Sequence, residues 1–205
     1  VALSIPNRVV VFDYGEVISH SPSESDKSVI LEIAGCPAEP FWRSYWAHRD
    51  GLDLGTTSVV EYWALVAADL GVSWRAATVH ALWVADFRGW WSVEPGTIDL
   101  IEELHDGGTR VALLSNAGFD FSSPFRHSPM AQYFERAFVS AELDMVKPDP
   151  AIYVHAAKEL GISLENMIFI DNKAANTDAA AALGVTAHRF TTVDELAAFL
   201  RSLAS

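Results

Sequence analysis

Four short segments of the chain carry residue types suited to transferring a phosphoryl group, and three of them follow apolar runs. Asp13 ends the run at residues 8–12, Ser115-Asn116 follows residues 111–114, and Asp171-Asn172 follows residues 167–170. Lys147-Pro148 is the fourth segment. Phosphoryl transfer needs an in-line nucleophile, neutralisation of the equatorial oxygens, and a hard cation bridging nucleophile and phosphate. The carboxylate of Asp13 can supply the nucleophile, splitting one displacement into two easier ones. Ser115 and the backbone amides after it, Asn116 among them, suit hydrogen bonding to the transferring group, and Lys147 supplies a compact cation. Asp171, with Asn172, offers oxygen ligands of the kind Mg²⁺ takes.

Each segment also has a plainer reading. An Asp at a strand end is a common turn or cap former, and Ser115-Asn116 reads equally as a loop. Lys147-Pro148-Asp149-Pro150 fits a helix entry with a solvated lysine. Asp171-Asn172 fits a helix cap, with Asn176 a polar surface residue of that helix.

The elements that must position these residues are legible as a βα alternation. The β-branched run at residues 8–12 has the uninterrupted apolar character of a strand buried on both faces. Residues 17–93 then change to helical periodicity rich in tryptophan. Val59, Trp63, Val66, Ala67 and Leu70 share one helix face behind the cap candidates Thr56, Thr57 and Ser58. From Pro95 onward helices and strands alternate. A helix through Ile98, Ile101 and Leu104 stops at Gly107-Gly108, and strands are expected at residues 111–114, 137–139, 167–170 and 185–188. Between the last four lie a helix from Pro150 to Gly161 and another over residues 174–183, and a terminal helix carries Val193, Leu196, Ala197, Leu200 and Leu203.

This alternation implies right-handed crossovers and a Rossmann-like parallel sheet with helices on both faces, and the helical stretch reads as an insertion. In such sheets ligands bind outside the carboxyl ends of the strands. Asp13, Ser115-Asn116 and Asp171-Asn172 are therefore expected to gather at one edge.

Composition narrows the function classes. The 205 residues suit one compact domain or a core with a modest insertion, and half of them are hydrophobic. With 14 basic against 27 acidic side chains the net charge is −13, which disfavours nucleic acid and anionic membranes as partners. A single cysteine, Cys36, excludes an internal disulfide and a Cys-based zinc cluster. No apolar run approaches the length of a membrane span and no signal peptide is evident, so a cytoplasmic protein is expected. The seven histidines lack paired-ligand spacing, and no Walker A or dinucleotide fingerprint occurs.

In order along the chain, F12-D13-Y14-G15-E16-V17, L114-S115-N116, K147-P148 and I170-D171-N172 resemble the motifs of the haloacid dehalogenase (HAD) superfamily of aspartate-nucleophile hydrolases. The resemblance covers nearly the whole chain, because that family places a small cap domain after the first strand. Within it the first motif is similar to a phosphatase branch reading Asp-x-Gly-Asn-Val, with Glu16 in place of Asn. The resemblance implies an α/β core over residues 1–16 and 94–205 and a helical cap over 17–93. It also implies a Mg²⁺ cofactor held by Asp13, the Gly15 carbonyl, Asp171 and Asn172, with Asp13 and Lys147 catalytic and a small phosphorylated metabolite, such as a sugar phosphate, as substrate.

Two positions depart from the usual family pattern. Gly15 stands where phosphatases of the superfamily carry a general acid and base, and Asn172 where an Asp commonly binds the metal. Strand alternation aims Glu16 at the opposite face unless the chain has already entered a turn. Dehalogenases of the superfamily also lack the second Asp and need no metal, so a 2-haloacid dehalogenase is the alternative. A non-catalytic relative that binds a phosphometabolite or a partner is another. The insertion sets the substrate in every case. Trp42, Trp46, Trp63, Trp74, Trp83, Trp90 and Trp91 are expected mostly in its core, with one or two facing the crevice, and Gly51 and Gly55 are expected to bracket a loop.

Overall fold

The computed structural model describes residues 2–204. Strands β1 (Val9–Phe12), β2 (Arg110–Ser115), β3 (Arg136–Val139), β4 (Met167–Asp171) and β5 (Thr186–Arg189) form one sheet in the order β3-β2-β1-β4-β5. Every neighbouring pair is parallel. All five strands fall within a residue or two of the positions expected from the apolar runs. The chain leaves the central strand β1 toward β2 and β3, then crosses back to β4 and β5 on the other side. The order therefore reverses between β1 and β4, the place where an open α/β sheet opens a crevice at its carboxyl edge.

The β1 side chains alternate between two separate cores, which explains the unbroken apolar run. Val10 and Phe12 pack with residues of α6 (Pro95–Asp106), α7 (Phe119–Arg126) and α11 (Val193–Leu203). Val9 and Val11 pack on the opposite face with α9 (Pro150–Leu160) and α10 (Ala174–Ala182). Gly161 ends α9 in the left-handed conformation, with φ of 67°, as its position after the periodic residues implies.

Five helices lie between β1 and α6: α1 (Glu24–Ala34), α2 (Ala38–Ala47), α3 (Arg49–Leu54), α4 (Val59–Asp69) and α5 (Ala76–Trp90). They enclose a third core around Phe41, Tyr45, Tyr62, Trp63, Val66 and Leu82. Ser58 caps α4 through a reciprocal box, its hydroxyl accepting from the Glu61 amide at 3.2 Å and the Glu61 carboxylate accepting from the Ser58 amide at 2.9 Å. The segments entering and leaving this bundle run antiparallel, joined by hydrogen bonds from His20 N to Ser92 O at 2.7 Å and from Glu94 N to Ile18 O at 2.8 Å.

One expectation is corrected here. Gly51 and Gly55 do not bracket a loop: Gly51 lies inside α3 and Gly55 is its left-handed cap, with φ of 80°. A Cβ at Gly55 would sit 2.8 Å from the carbonyl of Ala141, so a side chain there would push α3 off α8 (Ser140–Leu143). The stretch after Ser115 folds into α7 and a 3-10 turn at Pro129–Tyr133 before β3, and the short α8 follows that strand. Among the described residues no helix is long and apolar enough to cross a membrane.

Phe169 stands at the centre of the α9 and α10 face, fully buried, with the Tyr153 ring 5.3 Å away and the Lys147 ammonium 5.4 Å from its ring centroid. Phe169→Ala is expected to cost about 3–5 kcal/mol. Urea denaturation should show this as a lower midpoint with an unchanged slope.

Candidate active site

The parallel register decides which side chains meet. Phe12 is level with Leu113 on one side and Ile170 on the other, so the next residues, Asp13 and Asp171, leave adjacent strands at the same height. The Asp13 amide donates to the Ile170 carbonyl at 2.9 Å, continuing the ladder by one step. Two carboxylates so placed repel each other in a poorly solvated setting, and the arrangement holds only with a cation between them.

Lys147 provides it. Its ammonium lies 2.7 Å from Asp13 Oδ1 and 2.8 Å from Asp171 Oδ2, and donates to the Leu114 carbonyl at 2.9 Å. Lys147 is thus buried and fully paired, not the solvated lysine of the plainer reading. Its backbone is gripped by Asn116, whose side chain accepts from the Lys147 amide and donates to the Lys147 carbonyl, both at 2.9 Å. The Asn116 side chain therefore holds the lysine loop. Of the amides after Ser115, that of Ala117 is committed to Ser140 Oγ at 2.9 Å.

Asp171 has no exposed surface and accepts three hydrogen bonds in all, that of Lys147 included. Lys173 N donates to its Oδ1 at 2.8 Å, and Asn176 Nδ2 joins Lys147 on Oδ2 at 2.9 Å. Asn176 is buried, with its own carbonyl held by the Tyr153 hydroxyl at 2.9 Å, so it is a positioning residue and not surface decoration. Only its spacing of five from Asp171, in the first turn of α10, hinted at that contact.

Asp13 differs from Asp171 in one respect that matters chemically. Its Oδ1 accepts from Lys147 and from the Tyr14 amide at 2.7 Å, whereas Oδ2 accepts no hydrogen bond among the described residues. Burial pushes the Asp13 carboxyl up to about 6, Lys147 opposes that rise, and Asp171 reinforces it. Ser115 lines the same crevice, and its hydroxyl has no protein partner among the described residues.

Glu16 also belongs here. The chain turns immediately after Asp13, and Glu16 adopts φ of 59°, a left-handed conformation that costs a non-glycine residue about 1–2 kcal/mol. The turn swings its carboxylate to Asn172, whose Nδ2 donates to Oε2 at 2.6 Å, while Ser21 Oγ donates to Oε1. The Asn172 carbonyl oxygen is buried and has no partner among the described residues. At Gly15 a Cβ would meet only the Trp90 ring at 3.8 Å, ordinary contact distance, so the missing acid is not excluded by crowding.

The residues present fit a hard cation by donor type. Asn172 Oδ1 is a buried oxygen acceptor without a partner among the described residues, and the Asp13 and Asp171 carboxylates and the Gly15 carbonyl offer further oxygens just beyond the ends of the paired strands β1 and β4. Among the described residues no three His, Cys, Asp or Glu side chains cluster as a metal site, so such a cation would rest partly on neutral oxygens.

Above the strand ends the crevice measures about 560 Å³ and is roofed by α2, α3 and α5. Trp42, Trp46, Trp90 and Trp91 line it, more tryptophans than the one or two expected, and Trp46 keeps 54% of its surface exposed. Trp63 is buried in the insertion core, as expected. A polar cluster absent from the sequence expectations faces the same space. Arg49 donates to Asp53 at 3.2 Å, to Asp86 at 3.1 Å and to the Tyr45 hydroxyl at 2.8 Å, and Tyr45 donates to Asp86 at 2.6 Å. Arg49 and Asp86 are 37 residues apart, and nothing local signals their pairing.

A family model described as haloacid dehalogenase-like hydrolase matches residues 59–184, more than half of the chain. The chain belongs to the haloacid dehalogenase-like hydrolases. The matched stretch of this HAD chain contains Ser115, Asn116, Lys147, Asp171 and Asn172 and begins after Asp13. The chain is 30% identical over 102 residues to Phosphoglycolate phosphatase 1 of Pseudomonas aeruginosa, a match covering 49% of this chain but only 38% of that enzyme. It shares its fold with a HAD family enzyme from Bacteroides thetaiotaomicron, solved as an aspartate-to-alanine variant with magnesium and inorganic phosphate. That likeness has a TM-score of 0.74 at 19% identity, covering 90% of this chain and 94% of the other. It also shares its fold with the L-2-haloacid dehalogenase RSc1362, at a TM-score of 0.72 and 14% identity, covering 98% and 100%.

Two outcomes test this electrostatic arrangement. Lys147→Met leaves two buried carboxylates uncompensated and is expected to cost about 3–5 kcal/mol in denaturant unfolding at neutral pH. Asp53 keeps 18% of its side-chain surface, and burial raises its carboxyl from 3.8 to about 6 against the pull of Arg49. Between those values the folded protein binds a proton that the unfolded chain does not, so this group's contribution to stability falls as pH rises from 4 to 7. Measured against Asp53→Asn, the wild type should lose on the order of 3 kcal/mol across that range.

Proposed function

We propose that this HAD-like hydrolase is a Mg²⁺-dependent phosphatase of small phosphomonoesters, with Asp13 as nucleophile. The observation that carries the reading is the asymmetry of Asp13: one carboxylate oxygen is fixed by Lys147 and the Tyr14 amide, and the other, in a residue that lines the crevice, has no partner among the described residues.

In the first step Asp13 Oδ2 attacks phosphorus in line, the bond to the ester oxygen breaks, and an aspartyl phosphate forms on Asp13 as the alcohol departs. In the second step water attacks the same phosphorus, the Asp13–phosphorus bond breaks, and inorganic phosphate leaves as the carboxylate is restored. Ser115 donates to the transferring group, and the Lys147 ammonium offsets its charge from the Asp13 side. Asp171 keeps that ammonium in place, and Asn116 holds the loop that carries it. Mg²⁺, held by Asp13, the Gly15 carbonyl, Asn172 and Asp171, would neutralise charge on the phosphoryl oxygens. With glycine at position 15 the leaving alcohol takes its proton from solvent, so good leaving groups are favoured.

The helical insertion serves as the cap. Its Trp42, Trp46 and Trp90 offer faces to a compact leaving group such as a sugar. Phosphoglycolate phosphatase 1, a relative that this chain matches over part of its length, supports phosphomonoester chemistry. Dehalogenation is the second reading, favoured by glycine at position 15 and by the want of a three-carboxylate cluster among the described residues.

A panel of phosphomonoesters and 2-haloacids, assayed with Mg²⁺ and with chelator, tests both. Phosphate release that needs Mg²⁺ and falls at least about 10³-fold in Asp13→Asn is the expected result. Phosphate release surviving that substitution overturns the mechanism, and halide release indifferent to chelator establishes the second reading.

A further inference from the structure

We infer that Glu16 is a positioning residue for the cation site, acting through Asn172. This deepens the phosphatase reading and rests on its Mg²⁺ requirement. The two ends of the Asn172 amide are nearly isosteric, and its orientation is decided by what faces them. A carboxylate can only accept hydrogen bonds, so the Glu16 Oε2 contact at 2.6 Å obliges the NH₂ end to face Glu16. The carbonyl end is thereby left over, buried and without a partner among the described residues, one residue past Asp171 and tied through Glu16 to the turn that follows Asp13.

A buried acceptor with no donor is uncommon in folded proteins and calls for a ligand. A cation, or a water in its shell, supplies what this oxygen lacks. Ser21 binds the other Glu16 oxygen, so the carboxylate is itself held in register. The left-handed backbone at Glu16 points the same way: glycine would adopt φ of 59° without strain, and the glutamate is kept there at a cost in stability. Glu16 therefore acts at one remove from the cation, where a supporting group typically changes affinity by 10–100-fold.

The test is calorimetric titration of the intact protein with MgCl₂ at fixed ionic strength, alongside thermal unfolding in chelator. Glu16→Gly removes both the acceptor and the strain. It should weaken Mg²⁺ binding by about 10–100-fold while raising the unfolding temperature by about 2–4 °C, a combination that general loss of structure does not produce. Glu16→Gln keeps an oxygen that can accept from Asn172 and should bind Mg²⁺ within about threefold of wild type, below the supporting-group range. Wild-type binding with Glu16→Gly unchanged would overturn the inference and leave the phosphatase reading standing. A Gln variant as weak as the Gly variant would also overturn it, since charge and not orientation would then be responsible. A wild-type protein that takes up no Mg²⁺ would remove both this inference and the metal requirement beneath it.

Discussion

A single ammonium group between two carboxylates is the interaction on which the site depends. Parallel pairing of β1 with β4 forces Asp13 and Asp171 out of adjacent strands at the same level, where burial makes their repulsion costly. Lys147 meets both within 2.8 Å, and the surrounding structure is organised to keep it there. Asn116 clamps its backbone, the Leu114 carbonyl takes its third hydrogen bond, and the Phe169 ring lies beneath it. Asp171 accepts from three donors and so serves as the fixed anchor. Asp13 keeps one oxygen unpartnered and so is the carboxylate available for chemistry. The same charge set thus holds strand ends together and differentiates two otherwise equivalent acids.

The insertion completes the environment by different means. Its helices carry their own apolar core and return to the sheet through paired entry and exit segments, so the crevice roof is a packed body and not a loop. The roof presents indole rings together with the Arg49, Asp53 and Asp86 cluster, giving the space above the carboxylates both apolar faces and fixed charges. Close approach of Gly55 to Ala141 brings the roof against the β3 side of the core.

Much of this was legible in the residues because it rests on short-range pattern. The strands were marked by uninterrupted apolar runs ending in Asp13, Ser115 and Asp171, since a strand covered on both faces has no polar position until it emerges. The Gly161 and Ser58 boundaries followed from cap chemistry. What escaped was set by tertiary partners. Asn116 looked like a phosphate-side residue until its amide was seen to span Lys147, and Asn176 looked superficial until α10 turned it onto Asp171. Glu16 was aimed the wrong way by strict strand alternation, because the chain enters a turn directly after Asp13. The pairing of Arg49 with Asp86 joins two helices of the insertion and has no local signature. Helix α7 escaped because Pro124 lies inside it and interrupts the helical pattern.

The claim at the centre of this account is that the unpartnered oxygen of Asp13 becomes bonded to phosphorus. Acid quenching during turnover of a phosphomonoester with Mg²⁺, followed by peptide mass mapping, examines that bond directly. The account predicts one phosphoryl group on the peptide containing Asp13. Turnover that releases phosphate with that peptide unmodified and a different side chain carrying the phosphoryl group would contradict it.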